Sequence, residues 1–203
     1  MPHLDLLRVD AAELPEDPAE ILAEWLPPND DPERPVMTLA TTAADGAPDA
    51  RQVLLSEWDP SGVWFHTEGR SRKVAELAER PAAALLLTWP ERRRQLVVRG
   101  IAERAEPEEE ARAYRARTAY LRLLAWLGDD EFARLPYRDR VAAWAAFAAE
   151  HPDGLEPPPT WLGFAVRPTR LTFWVGSEVT ASRRAEYARP TPADPWTARI
   201  LAG

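Results

Sequence analysis

Gly69-Arg70-Ser71-Arg72-Lys73 is the segment of this sequence whose charges are hardest to leave to solvent. Its three cations crowd the point where a helix should begin, because Ser71 is followed by Val74, Leu77 and Ala78 at helical spacing. A helix N-terminus already carries partial positive charge and N–H groups without partners, so cations are disfavoured there unless an anion joins them. A phosphate docked on those amides, with Ser71 as cap and Arg72 and Lys73 closing over it, would satisfy every group at once. The alternative is that all three side chains point into water, and the segment alone leaves both readings open.

Other polar residues stand at the edges of apolar runs. Arg51 opens RQVLLS, and Gln95 opens LVVRG after the tribasic stretch Arg92-Arg93-Arg94; either could be surface decoration. No aromatic residue interleaves the three arginines, so they read as a solvated hairpin turn and not as a nucleic-acid contact. Trp174, beside Phe173, suits core packing or an interface. His3, His66 and His151 are far apart and have no ligand at metal spacing, so no metal is expected. The chain has no cysteine, which excludes disulfides and thiol chemistry. No serine sits in a nucleophile elbow and no glycine-rich loop follows a strand, so hydrolase and Rossmann readings fail.

These residues need a scaffold, and the chain supplies one. Its 203 residues, 45% hydrophobic and 29% charged, suit one main soluble domain. The net charge of -8 gives no general attraction for a polyanion. The acidic, proline-interrupted start is neither a signal nor a transit peptide, and no apolar run approaches the ~20 residues that span a bilayer, so a cytoplasmic protein is expected.

Residues 1–34 read as an arm with one short helix, capped by Asp17, started by Pro18 and stopped by Pro27-Pro28; residues 35–203 form the main domain. Within it, VMTLATT, the Asp45-Gly46 turn and RQVLLSEW read as a hairpin, and Asp59 to Gly62 turns the chain into VWFHT. A helix from Ser71 ends at Pro81, and the strands AALLLTW and QLVVRGIAERA follow. One helix is expected from Pro107 to about Leu127 and another over Tyr137 to Glu150. WLGFAVRP and RLTFWVG read as two strands joined by a tight turn at Pro168-Thr169. About six or seven strands with inserted helices suggest a mainly β, α+β fold, a small barrel carrying helices.

In order and spacing these segments resemble the pyridoxine/pyridoxamine 5′-phosphate oxidase family from Pro35 to the end of the chain. VMTLATTAADGAPDARQVLLSEWDPSGVWFHTEGRSRKVAEL is similar to its first half, RRRQLVVRG to its flavin-contacting strand, and WLGFAVRPTRLTFWVG with RRAEYAR to its C-terminal signature. The resemblance implies an FMN-binding split β-barrel, a homodimer with FMN at the subunit interface, and C-terminal strands in the dimerisation region. It implies that Arg51 and the Gln52-Val53-Leu54-Leu55 backbone line the flavin, with His66 and Thr67 where the family usually has Tyr-Thr. Arg72 and Lys73, beside Ser71, would hold the phosphate, Gln95 would approach the ring, and Trp174 and Arg184 would arrive from the C-terminal strands.

The departures fall on the substrate side. Ser56 stands where members that bind pyridoxal phosphates usually have Lys, and Thr180-Ala181-Ser182-Arg183-Arg184 replaces Arg-Leu-His-Asp-Arg. Arg117 matches a further substrate-phosphate position, while Leu121 replaces a serine and Asp130-Glu131 replace a Gln-Ser pair associated with FMN. Charge-assisted hydrogen bonds contribute roughly 1.5–3 kcal/mol each, so losing such cations should weaken binding of a vitamin B6 phosphate. The expectation is an FMN-dependent oxidase, using O2, that takes a hydride from a small and less anionic metabolite, as in relatives of phenazine-biosynthesis oxidases. The alternatives are an authentic pyridoxine/pyridoxamine 5′-phosphate oxidase, a non-catalytic flavin-binding protein, and a relative that holds a deazaflavin or haem.

Overall fold

The computed structural model describes residues 4–152 and 154–203, so His3 lies outside the described residues. In chain order the elements are α1 (Ala19–Trp25), β1 (Val36–Thr42), β2 (Pro48–Leu54), β3 (Glu57–Asp59), β4 (Gly62–Glu68), α2 (Arg72–Glu79), β5 (Ala82–Trp89) and β6 (Arg94–Arg104). Then come α3 (Pro107–Arg115), α4 (Ala119–Leu127), α5 (Asp130–Arg134), α6 (Tyr137–Glu150), β7 (Trp161–Val175), β8 (Arg183–Ala188) and β9 (Thr197–Ala202). Among the described residues the strands form one sheet in the order β2-β1-β5-β6-β7-β4-β3, and β8 pairs with both β7 and β9. The β1–β2, β1–β5, β5–β6, β7–β8 and β8–β9 ladders are antiparallel, so the class is mainly β with inserted helices, as expected. No helix among the described residues is long and apolar enough to cross a membrane.

The chain divides into two compact units. One contains the described residues up to Phe65, with Glu76–Glu103 and Ala165–Gly203; the other contains His66–Ala75 and Arg104–Phe164. In the first, strand alternation buries one face: Met37, Leu39 and Thr41 in β1, Ala83, Leu85 and Leu87 in β5, and Leu96, Val98 and Ala102 in β6. Helix α1 adds Ile21, Leu22 and Trp25 to this core, and Trp25 meets Phe173 edge-on at 5.3 Å between ring centroids. The N-cap of α1 is Pro18 and not Asp17 as expected, although Asp17 Oδ1 accepts the Ala19 amide at 2.9 Å.

In the second unit Tyr114, Ala125 and Trp161 form a buried cluster. A carboxylate ties it together. Glu110 is buried; its Oε1 accepts the Gly163 amide and the Arg104 Nε, each at 2.7 Å. Its carbonyl accepts the Trp161 indole N–H at 3.0 Å. A buried carboxylate of this kind is tolerable because its partners replace the water it lost.

Several expectations needed correction. The helix expected from Pro107 to Leu127 is two helices, because the Thr118 hydroxyl accepts the Leu121 amide and starts α4 afresh. Helix α5, opened by Asp129, was not expected. RQVLLSEW is divided between β2 and β3, and with β8 and β9 the described residues hold nine strands, above the six or seven read from turn signals. The two C-terminal strands expected around a Pro168-Thr169 turn are one strand, β7. Proline ends a strand only where its missing N–H is needed. The β7–β8 ladder begins at Arg170, beyond Pro168, and on β6 the glycine Gly100 gives Pro168 room.

A Cβ on Gly100 would lie 1.9 Å from the Arg167 carbonyl oxygen, a backbone atom that cannot rotate away. Gly100→Ala is therefore expected to lose at least about 3 kcal/mol of stability, read from urea unfolding; a loss below 1 kcal/mol would mean that β6 and β7 separate easily.

Candidate active site

Arg51 lies opposite Leu39 in the β1–β2 ladder, and Thr41 lies opposite Asp49. All four are therefore at inward-facing positions, and a guanidinium there must find counter-charge. Arg51 Nη2 is 2.7 Å from Glu76 Oε2 and 2.9 Å from Asp49 Oδ2, and Nη1 donates to the Thr41 hydroxyl. Thr41 Oγ1 in turn donates to Glu76 Oε2 at 2.5 Å. Val53 and Leu55 continue the buried face, whereas Gln52 turns outward and donates to Thr38 Oγ1 at 3.1 Å; Leu54 pairs with exposed Val36. Glu76, Thr41 and Asp49 were missed in the sequence. The available signal was strand parity, since Arg51 shares the face of Val53 and Leu55.

At the start of α2 the three cations have different partners. Arg70 turns back to Glu68, with Nε to Oε1 at 2.8 Å, and reaches Asp129 Oδ2 at 3.0 Å. Both carboxylates hold its proton more firmly, and Asp129 is pushed to the acid side by the Phe132 amide, with Arg70 contributing. Lys73 instead donates to Thr67 Oγ1 at 3.0 Å, which brings together two residues of the expected cofactor set. The Ser71 hydroxyl does not cap the helix as expected: its oxygen is buried without a hydrogen-bond partner, and only the Ser71 carbonyl accepts an amide, that of Val74. No acid stands in the first turn of α2. An orphaned hydroxyl beside Arg72, Lys73 and the first amides of a helix fits an anionic phosphate.

Gln95 pairs with Thr88 across β5–β6, and Trp174 pairs with Arg184 across β7–β8. Of the residues expected to face a substrate, the Ser56 amide donates to the Trp64 carbonyl and the Ser56 carbonyl accepts from Arg34 at 2.5 Å. Thr180 and Ser182 lie in the β7–β8 connection, where the Thr180 amide donates to Ser177 Oγ at 3.1 Å. Arg117 lies over the Trp161 ring, 5.3 Å from its centroid. Asp130 and Glu131 open α5 and are exposed, and Asp130 meets Arg134 at 3.5 Å.

His66 is buried and stacked on Trp161, with ring centroids 5.2 Å apart and planes 9° from parallel. Burial, with help from Arg117 and Arg112, pushes its pKa down from 6.5 to about 3. The imidazole is therefore neutral at physiological pH. Between those two values the unfolded chain binds the proton and the folded chain does not, so stability is full above pH 6.5 and falls as pH drops toward 3. His66→Gln should flatten the dependence of the urea midpoint on pH in this window, by up to about 1.4 kcal/mol per pH unit; an unchanged slope would place the sensitivity elsewhere.

Comparison with known proteins bears on the family and the fold. The family model of pyridoxamine 5′-phosphate oxidase matches residues 24–174. A pyridoxine/pyridoxamine 5′-phosphate oxidase of Rhodopseudomonas palustris (strain HaA2) is 36% identical, over 90% of this chain and 88% of the relative. That of Salinibacter ruber (strain DSM 13855 / M31) is 34% identical, over 92% and 89%. Among solved structures, PhzG from Burkholderia lata 383 in complex with tetrahydrophenazine-1-carboxylic acid superposes with a TM-score of 0.83 at 25% identity, covering 98% of this chain and 99% of PhzG. A pyridoxamine 5′-phosphate oxidase-related, FMN binding protein from Nostoc punctiforme PCC 73102 shares the fold, with a TM-score of 0.64 at 17% identity over 82% and 86% of the chains. The expected split-barrel architecture is that of these relatives, and the chain belongs to the pyridoxamine 5′-phosphate oxidase family.

Proposed function

We propose that the protein is an FMN-dependent oxidase that dehydrogenates a small heterocyclic metabolite carrying less negative charge than a vitamin B6 phosphate. The observation that carries this reading is the contrast between the residues expected to hold the cofactor phosphate and those expected to face the substrate. At the start of α2, Lys73, Arg72 and the orphaned Ser71 hydroxyl suit the phosphate of FMN. At the positions expected to face the substrate stand the neutral Ser56, Thr180 and Ser182. Among the relatives, PhzG was solved in complex with tetrahydrophenazine-1-carboxylic acid, a class of molecule without the phosphate that cations at the positions of Ser56, Thr180 and Ser182 would have paired.

When bound, FMN supplies a two-electron acceptor for the hydride leaving the substrate carbon, and O2 takes the electrons onward as hydrogen peroxide. The chain's own part is placement. Arg51 and Gln95 orient the flavin, His66 and Thr67 stand at the family's Tyr-Thr position, and Trp174 with Arg184 reach the flavin from the C-terminal strands. The reading includes a homodimer with FMN at the subunit interface, in the cytoplasm. A second reading, an authentic pyridoxine/pyridoxamine 5′-phosphate oxidase, is favoured by the curated relatives of that name at 36% identity.

The test is the visible spectrum of FMN-reconstituted protein under anaerobic conditions. Pyridoxine 5′-phosphate is expected to leave the oxidised flavin band standing, and tetrahydrophenazine-1-carboxylic acid to bleach it. Bleaching by pyridoxine 5′-phosphate would establish the second reading, and protein that takes up no flavin would sink both. Lys73→Ala should raise the Kd for FMN about tenfold or more while changing that for riboflavin, which lacks the phosphate, by less than about twofold.

A further inference from the structure

We infer that Glu76 is a positioning residue for the cofactor: it sets the direction in which Arg51 presents its remaining N–H donors to the flavin. The inference rests on the FMN reading above. Glu76 is buried at 5% exposure, on α2, where helical spacing alone would leave an acid in solvent. Its Oε2 receives both the Arg51 Nη2 and the Thr41 hydroxyl, at 2.7 and 2.5 Å. The second contact controls a third. Because Thr41 spends its only proton on Glu76, its lone pairs must face Arg51, and Nη1 donates to that oxygen.

The consequence is a guanidinium fixed on one side and open on the other. An arginine carries five N–H donors. The contacts to Glu76, Asp49 and Thr41 engage Nη2 and one position of Nη1. They leave the Nε–H and the second Nη1–H for a ligand. Without Glu76 the Thr41 hydroxyl can rotate and donate elsewhere, and Arg51 keeps only Asp49, whose side chain is 25% exposed. The fork would then sample several orientations, and ordering it would fall to the bound flavin.

A purely structural ion pair would join two elements and have no preference for what Arg51 does next. The two roles separate in a double-mutant cycle on the Kd for FMN, read from quenching of flavin fluorescence in wild-type protein, Glu76→Gln, Arg51→Ala and the double variant. Glu76→Gln is expected to weaken FMN binding about tenfold in the wild-type background and less than about twofold when Arg51 is already Ala. Thr41→Val should show the same dependence on Arg51, and Thr41→Ser, which keeps the hydroxyl, should bind FMN within about twofold of wild type; these two carry the test if Glu76→Gln fails to fold. Equal weakening by Glu76→Gln in both backgrounds, or weakening by Thr41→Ser as large as by Thr41→Val, would overturn the inference. If wild type binds FMN and Arg51→Ala leaves that Kd unchanged, the inference fails alone; if wild type binds no FMN, the functional reading fails and takes it down.

Discussion

A carboxylate taken out of water must bring its counter-charge with it, and three buried glutamates organise this protein in that way. Glu76 joins α2 to β1 and β2 through Thr41 and Arg51. Glu110 joins α3 to the end of β6 and the start of β7 through Arg104 and the Gly163 amide. Glu186 on β8 accepts Arg199 of β9 at 2.6 Å and lies 3.9 Å from Arg170 of β7. A hydrophobic contact would hold the same elements without fixing their direction. Paired charges fix both distance and orientation, because an unpaired buried carboxylate costs several kcal/mol.

The same logic connects the fold to the expected chemistry. Arg51 is an inward-facing charge whose cost is met by Glu76 and Asp49, so it can persist within a sheet face otherwise made of Met37, Leu39 and Val53. At the start of α2 the situation is reversed. Cations accumulate at the positive end of a helix, and the Ser71 hydroxyl that could have capped it stays without a partner. A buried hydroxyl without a hydrogen-bond partner beside those cations is what an anion at the helix start would complete. His66, buried and stacked on Trp161, is held neutral by that burial.

The strands were largely legible because a half-buried sheet imposes alternation with period two, as in Met37-Leu39-Thr41 and Leu96-Val98. Local signals misled where a distant residue decided the outcome. Pro168-Thr169 has the chemistry of a turn, yet β7 runs through it, since Gly100 on a strand far away in sequence makes room. Thr118 broke one long helical pattern into two helices, and the apolar spacing on either side gave no sign of it. Short β9 became a strand only by pairing with β8.

For the site, the sequence by itself determined the residue types: a cationic helix start, the Arg-Gln-Val-Leu-Leu strand, and an order of segments similar to one enzyme family. It determined these because periodicity, charge and motif spacing are local properties of the chain. The tertiary structure alone decided which of those charges were already spoken for. Arg70 is held by Glu68 and Asp129, Arg51 by Glu76, Asp49 and Thr41, while Lys73 meets Thr67 and the Ser71 hydroxyl has no hydrogen-bond partner. Those pairings span up to 59 residues of sequence and depend on electrostatic contacts a few ångströms long, which no spacing rule along the chain encodes.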